Sequence, residues 1–248
     1  MGYHVCGYNA NTFGVTNFDM APFTDSWLAI QNGHYLPQQQ LKLFGGWFGG
    51  ANLTAITLVT PTTRAVVPPR LYPIQGSLLP PDRPHIWDRR NNPTILNKVE
   101  EISVQANIGG AANAITTAIL FVGDGINAVP PGPVYSLHGT ATTAAVANVW
   151  TQVNVVWDQT IPAGQYVVIG SQHVSTNAIA HRFYFRTTPM KPGFLSLTSL
   201  TNITDPTYYF GGWGALGQFD TTVYPFIEVL CNGTDASHDL VMNMVKVA

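Results

Sequence analysis

The stretch from Val149 to Phe185, VWTQVNVVWDQTIPAGQYVVIGSQHVSTNAIAHRFYF, constrains the fold more than any other. Val149, Thr151, Val153, Val155 and Trp157 share one face of a two-residue period, so that face is apolar or β-branched. Asp158–Gly164 interrupts the run with Pro162 and Gly164, residues that suit a turn. A β-branched strand follows over Gln165–Ile169. Ile179, His181, Phe183 and Phe185 then alternate with Ala180, Arg182, Tyr184 and Arg186. The pattern predicts three consecutive strands of an antiparallel sheet, with a second layer covering the apolar face.

The remainder of the chain carries the same punctuation. Short strands are expected at Ser26–Gln31, Leu41–Trp47 and Leu53–Thr60, the last two separated by the glycine-rich GGWFGGAN. Thr60–Ile74 holds four prolines, which cannot donate to a ladder and mark an edge or a surface path. Gln75–Asn97 holds four more and most of the local charge, and is the expected boundary between sandwiches. From Lys98 the strand signals become dense, beginning with the alternation of Val99–Ile108. The division expected is an N-terminal arm and smaller sandwich over 1–74, a linker or loop over 75–97, and a larger sandwich over 98–248. Strands at this spacing with Gly/Pro turns predict an all-β sandwich or barrel. Phe44-Gly-Gly-Trp47 recurs as Phe210-Gly-Gly-Trp213, but nothing flanking the two copies aligns, and coincidence explains the echo.

Charge narrows the function classes. Only 10% of the 248 residues are charged, against about 25% in an average soluble domain. A surface of Thr, Asn, Gln, Ser and Ala is less costly to desolvate, which suits a chain buried among neighbours. The same composition also fits an extracellular β protein. Net charge is −2 with no basic run, so direct nucleic-acid binding through many phosphate contacts is not expected. The N-terminus has neither a basic n-region nor an apolar h-region, so no signal peptide is expected. No window approaches the length of a membrane span. Cys6 and Cys231, near opposite ends, read most simply as two free core thiols.

No catalytic pattern stands out. The seven histidines form no HxH, HExxH or Cys/His cluster, so no metal site is expected. His181 lies on the apolar register of its strand and reads as a hydrogen-bonded core or interface histidine. Asp124, Asp158 and Asp220 sit at turns, where capping is a commoner role than calcium binding. GxSxG is absent.

Five segments together carry a family likeness: TPTTRAVVPPRLYPI (residues 60–74), IPAGQYVVIG (161–170), HRFYF (181–185), KPGFL (191–195) and YFGGWGALGQF (209–219) before FIEVLCNG. Taken as an ordered pattern, they resemble the jelly-roll coat proteins of small tailless icosahedral viruses, especially bacterial ones. The resemblance implies an antiparallel jelly-roll β-sandwich, preferentially two sandwiches in a double jelly roll, with one elaborated jelly roll as the alternative. It implies a structural capsid protein of the virion, assembled in the host cytoplasm, that associates with itself as trimers within a shell. It implies no catalysis and no cofactor. Other capsid proteins or an underlying membrane would be its neighbours. The rival reading is a carbohydrate-binding β-sandwich of an appendage or secreted protein. Interface candidates are Arg64 and Arg70 in the Pro-rich segment, His85, Trp87, Arg89 and Arg90 in the loop, and Trp47 and Trp213 at the glycine–aromatic corners.

Overall fold

A computed structural model describes residues 2–11, 15–50, 53–61, 70–71, 87–109, 115–198 and 210–248. These fall into two compact units. One is drawn from residues 6–124, the other from the first residues through Val5 together with Gly125–Ala248.

The strands through residue 123 are β1 (Tyr3–Asn11), β2 (Val15–Asp19), β3 (Ala21–Pro22), β4 (Ala29–Ile30), β5 (His34–Tyr35), β6 (Leu41–Gly50), β7 (Leu53–Val59), β8 (Arg70–Leu71), β9 (Trp87–Asp88), β10 (Thr94–Leu96), β11 (Glu101–Ile108) and β12 (Ile115–Gly123). One sheet runs β10-β6-β12-β1-β3, and β9 shares an edge of β6 with β10. The other runs β4-β5-β11-β7-β8, and β2 shares an edge of β11 with β5. Setting aside the two-residue edge strands β3 and β4, and taking β9 with β10, and β2 with β5, as one split strand each, gives eight positions in chain order. Their spatial order is first-eighth-third-sixth in one sheet and second-seventh-fourth-fifth in the other.

The second unit repeats this order. Its strands are β13 (Val134–Ala141), β14 (Thr151–Val153), β15 (Val156–Trp157), β16 (Gln165–Val174), β17 (Ala178–Tyr184), β18 (Gly193–Leu195), β19 (Gly217–Asp220), β20 (Phe226–Cys231) and β21 (His238–Lys246). The sheets are β15-β13-β21-β16-β19 and β14-β20-β17-β18, all antiparallel. With β15 as an extra edge strand, the remaining eight again lie first-eighth-third-sixth and second-seventh-fourth-fifth. Two sheets woven from alternating chain segments in this order are a jelly roll. The chain is a double jelly roll.

The weave corrects the reading of 149–185 as three neighbours in one sheet. β14 lies in one sheet, β15 and β16 in the other, and β17 back in the first. The chain changes sheets at Asn154–Val155 and again at 175–177. A period of two reports which face is buried but not which sheet a strand joins. The exposed positions record the crossing: Val149 is 39% and Val156 72% exposed, although both belong to the hydrophobic run.

The expected division at 75–97 also differs from the structure. Residues 75–86 lie outside the described residues, while β9 and β10 are paired on β6, and β11 and β12 complete the first jelly roll. The change of unit falls at Asp124/Gly125. Pro93, the described proline of that stretch, lies between β9 and β10 within the first unit. The glycines of GGWFGG likewise do not end a strand, because β6 continues to Gly50. Gly45 has φ +149, and a Cβ there would stand 2.1 Å from the Trp87 carbonyl oxygen. Glycine at this position lets β9 approach β6, and it lies opposite the register shift between Phe121 and Val122. The second FGGW copy is a turn, so the two copies are not equivalent corners.

Alternation explains the core where one face is buried. In β11, Ile102, Val104, Ala106 and Ile108 are at most 3% exposed, while Glu101, Ser103, Gln105 and Asn107 face outward. Val99, counted with that strand from sequence, sits in a turn instead. In β16 a register shift between Val168 and Gly170 splits the strand's role. Val167 and Ile169 pack with Val245 and Ala215 in a cluster of their own. Ser171 and His173 turn toward β17 and Ser196.

Candidate interface surface

Of the loop candidates, Trp87, Arg89 and Arg90 lie in an ordered turn. Trp87 and Asp88 pair with Gly46 and Gly45, and the Arg89 amide donates to Phe44 O at 2.8 Å. Arg90 grips Asp88 through Nε and Nη2, the latter 2.6 Å from Oδ2, and its amide caps the same carboxylate. These bonds hold the Asp88 carboxyl below the usual carboxylate range. The Arg89 guanidinium lies 5.9 Å from the centre of the Trp87 ring, itself 6.4 Å from Phe48. Arg90 is thus committed to the turn itself. Further along, Ile95 on β10 is 59% exposed and Val99 56% exposed. Val99 adopts φ +59, a conformation disfavoured for a β-branched residue. Exposed apolar side chains on a tightly built stretch suit a surface meant to be covered.

Trp47 and Trp213 are not surface residues. They are 4% and 1% exposed, and Trp213 packs against Tyr3 with ring centres 5.5 Å apart. Their size makes them core, which corrects their reading as contact residues. Arg64 and His85 lie outside the described residues. Arg70 is placed on β8 opposite Thr57, its side chain outside that description.

The second unit carries apolar exposure at its edges. Val156 sits on the two-residue edge strand β15, Val134 opens β13 at 51% exposure, and Val146 lies between β13 and β14. Such positions are where another chain can seat.

Beneath that surface the same unit holds two buried polar clusters that sequence reasoning left unconnected. The first lies on the outer face of β17. Arg182, 1% exposed, donates from Nε to Glu228 Oε2 at 2.7 Å and from Nη1 to Val5 O at 2.9 Å, and stacks 4.1 Å from the Trp150 ring centre. Lys191 Nζ pairs with the other Glu228 oxygen, and the Lys191 amide donates to His4 Nδ1 at 3.0 Å. The only prior signal was a charged residue inside HRFYF.

The second cluster spans the sandwich interior. His181 Nε2 lies 2.6 Å from Ser171 Oγ, and its Nδ1 lies 3.1 Å from Ser196 Oγ. Ser196 Oγ is 2.8 Å from His173 Nδ1, and His173 Nε2 is 3.2 Å from His238 Nδ1. His238 Nε2 reaches Thr143 O at 3.0 Å. Burial pushes the His181 imidazole down to about 3 and, with its neighbouring histidines, pushes His173 well below its usual value. The core role expected for His181 holds. These Ser–His pairs have the elements of a nucleophile and base, but Ser171, Ser196 and all three rings are at most 1% exposed. A substrate cannot reach them.

His138 has both ring nitrogens occupied, by Asp158 and by Asp239 at 2.7 Å, so neither is left to activate a nucleophile. Asp158 and then Asp239 raise its pKa. Asp220 caps Thr222, as expected of a turn aspartate. Asp124 instead accepts from Gln39 Nε2 at 3.1 Å. No group of three potential metal ligands occurs among the described residues. Cys6 and Cys231 are buried thiols outside any disulfide, and burial followed by the nearby Asp235 pushes the Cys231 thiol up to about 12.

A groove of about 500 Å³ opens at the end of β17 and β19 in the second unit, with Tyr184, Arg186, Phe219, Asp220 and Tyr224 in its walls.

No family model and no curated protein match the chain. Among solved structures it is similar to the major capsid protein P2 from bacteriophage PM2, at 12% identity over 98% of each chain, with a TM-score of 0.26. A score that low carries no argument of its own, and the fold stands on the strand order.

Proposed function

We propose that this chain is a structural capsid protein that self-assembles, through trimers, into an icosahedral shell and performs no catalysis. The observation that carries the reading is the tandem arrangement: two jelly rolls with the same strand order in one chain. Jelly rolls serve capsids, lectins and cupins, and the tandem form is what the resemblance to tailless-virus coat proteins implies. Two features support it. Charged residues are scarce, so extensive surface can be desolvated at low cost. Apolar side chains stand exposed at strand edges, including Val156, Val134 and Ile95. Trp87 and Arg89 are the loop residues retained as contact candidates. The place of the protein in this reading is the virion.

Light scattering coupled to size-exclusion chromatography tests it. Trimers or larger closed assemblies support it. A monomer of 26.9 kDa at every concentration and salt level contradicts it. The aromatic and polar groove at Tyr184, Phe219 and Tyr224 favours one second reading, a carbohydrate-binding sandwich. Saccharide binding by that monomer on a glycan array would support this rival.

A further inference from the structure

The buried line Ser171–His181–Ser196–His173–His238 has a direction, set at its far end. Thr143 O can only accept, so His238 Nε2 must carry a proton and donate. In a neutral His238, Nδ1 is then an acceptor, so His173 donates to it from Nε2. His173 Nδ1 is in turn the acceptor for the Ser196 hydroxyl. Ser196 Oγ, its proton spent, accepts from His181 Nδ1, and His181 Nε2 accepts from Ser171. Every ring nitrogen finds a complementary partner in one arrangement: His181 protonated at Nδ1, His173 and His238 at Nε2. The line crosses the sandwich, since His173 and Ser171 belong to β16, His238 to β21, and His181 to β17 of the opposite sheet.

We propose that this line is an acid-sensitive latch of the 125–248 jelly roll, closed while His173 and His181 are neutral in these tautomers and opened by protonating either. A second proton on His173 or His181 puts a charge on a ring that is 0% exposed. It also turns the serine hydroxyls from donors into acceptors along the line, so the Ser171 hydroxyl loses the His181 nitrogen it donates to. Buried polar networks are all-or-none in this sense. Among the described residues no anion compensates a charge at His173 or His181. Phe183 and Phe194 flank His181, with ring centres 6.0 and 6.2 Å away. Among the described residues the charged group facing the line is Asp235, near His238, with the Cys231 thiol beside it. Asp235 already accepts from Ser175 Oγ, Asn177 N at 3.0 Å and Ser237 N at 3.2 Å.

Both shifted histidines have folded values depressed below the unfolded one. The unfolded chain therefore takes up protons first, and stability is lost as pH falls below about 6.5. Each such histidine lowers the folding equilibrium constant about tenfold per pH unit through that range, and two lower it about a hundredfold. The latch belongs to the fold and holds whether or not the chain assembles.

Two measurements test it. Side-chain nitrogen NMR of the full chain at pH 7.5 should find His181 protonated at Nδ1, and His173 and His238 at Nε2. All three carrying Nε2 protons, or His173 or His181 titrating near 6.5 with the fold intact, would overturn the latch. The second is chemical unfolding between pH 6 and pH 5. His181→Asn keeps a donor toward Ser196 but cannot titrate, so it should weaken the pH dependence by about tenfold per unit. An unchanged dependence in a folded H181N protein would overturn the proposal, and if that variant fails to fold, the NMR result on the natural chain decides.

Discussion

Arg182 and Glu228 form an ion pair across adjacent strands, Nε to Oε2 at 2.7 Å, with the arginine 1% exposed. Lys191 shares the same carboxylate, and the Trp150 ring caps the guanidinium. One anion thus serves two buried cations, and the stacked, forked geometry is specific to arginine.

Breaking the pair should be expensive because the partner remains buried. Glu228→Gln leaves two cations without their anion and should cost about 3–5 kcal/mol in chemical unfolding. Arg182→Lys should recover little, since lysine supplies neither the fork nor the stacked plane. A loss below about 1 kcal/mol for either variant would contradict this account of the cluster.

Gly45 should tolerate no side chain. Alanine there meets a positive φ of +149 and the Trp87 carbonyl at 2.1 Å. Gly45→Ala should lose at least about 1–3 kcal/mol, and hydrogen exchange should rise first at Trp87 and Asp88.

His138 should behave opposite to the core histidines. Asp158 and Asp239 raise its folded pKa above the unfolded value. Its contribution is therefore fully present below pH about 6.5 and lost as pH rises through the folded pKa. An NMR titration should find His138 protonating at higher pH than a free imidazole, and Asp158→Asn should bring that pKa down.

Val156 separates folding from association. At 72% exposure, Val156→Asp should leave monomer stability within about 0.5 kcal/mol of the parent. In light scattering it should shift the population toward smaller species, and Ile95→Asp should do the same. Normal assembly by both variants would remove these edges from the proposed contact surface.

How much of this was legible in the sequence depended on the kind of signal. Alternation identified Ile102, Val104 and Ala106 as one buried face, because side chains on successive residues point to opposite sides. It marked His181 as a core or interface histidine for the same reason, and its full burial decides for the core. It could not say that β16 and β17 belong to different sheets, since the order of strands is fixed by pairings distant in sequence, such as Val167 with Val245. Gly45 read as a residue free to take positive φ beside a close backbone, and it does, but the local sequence does not name Trp87 as that backbone. Trp47 and Trp213 read as surface corners because adjacent glycines suggest a turn. Their burial comes from partners that the local sequence does not name, such as Tyr3 for Trp213. The polar line from Ser171 to His238 was invisible, because its members are spread over β16, β17, β21 and the Ser196 segment.

The central claim is that a double jelly roll with low charge and apolar edges is a shell-forming unit. Electron microscopy of the purified chain, on the fractions resolved by size-exclusion chromatography, tests it most directly. Trimeric particles and closed icosahedral shells are the predicted result. Fields of single 26.9 kDa particles, unchanged by raising the protein concentration or the salt, would contradict it.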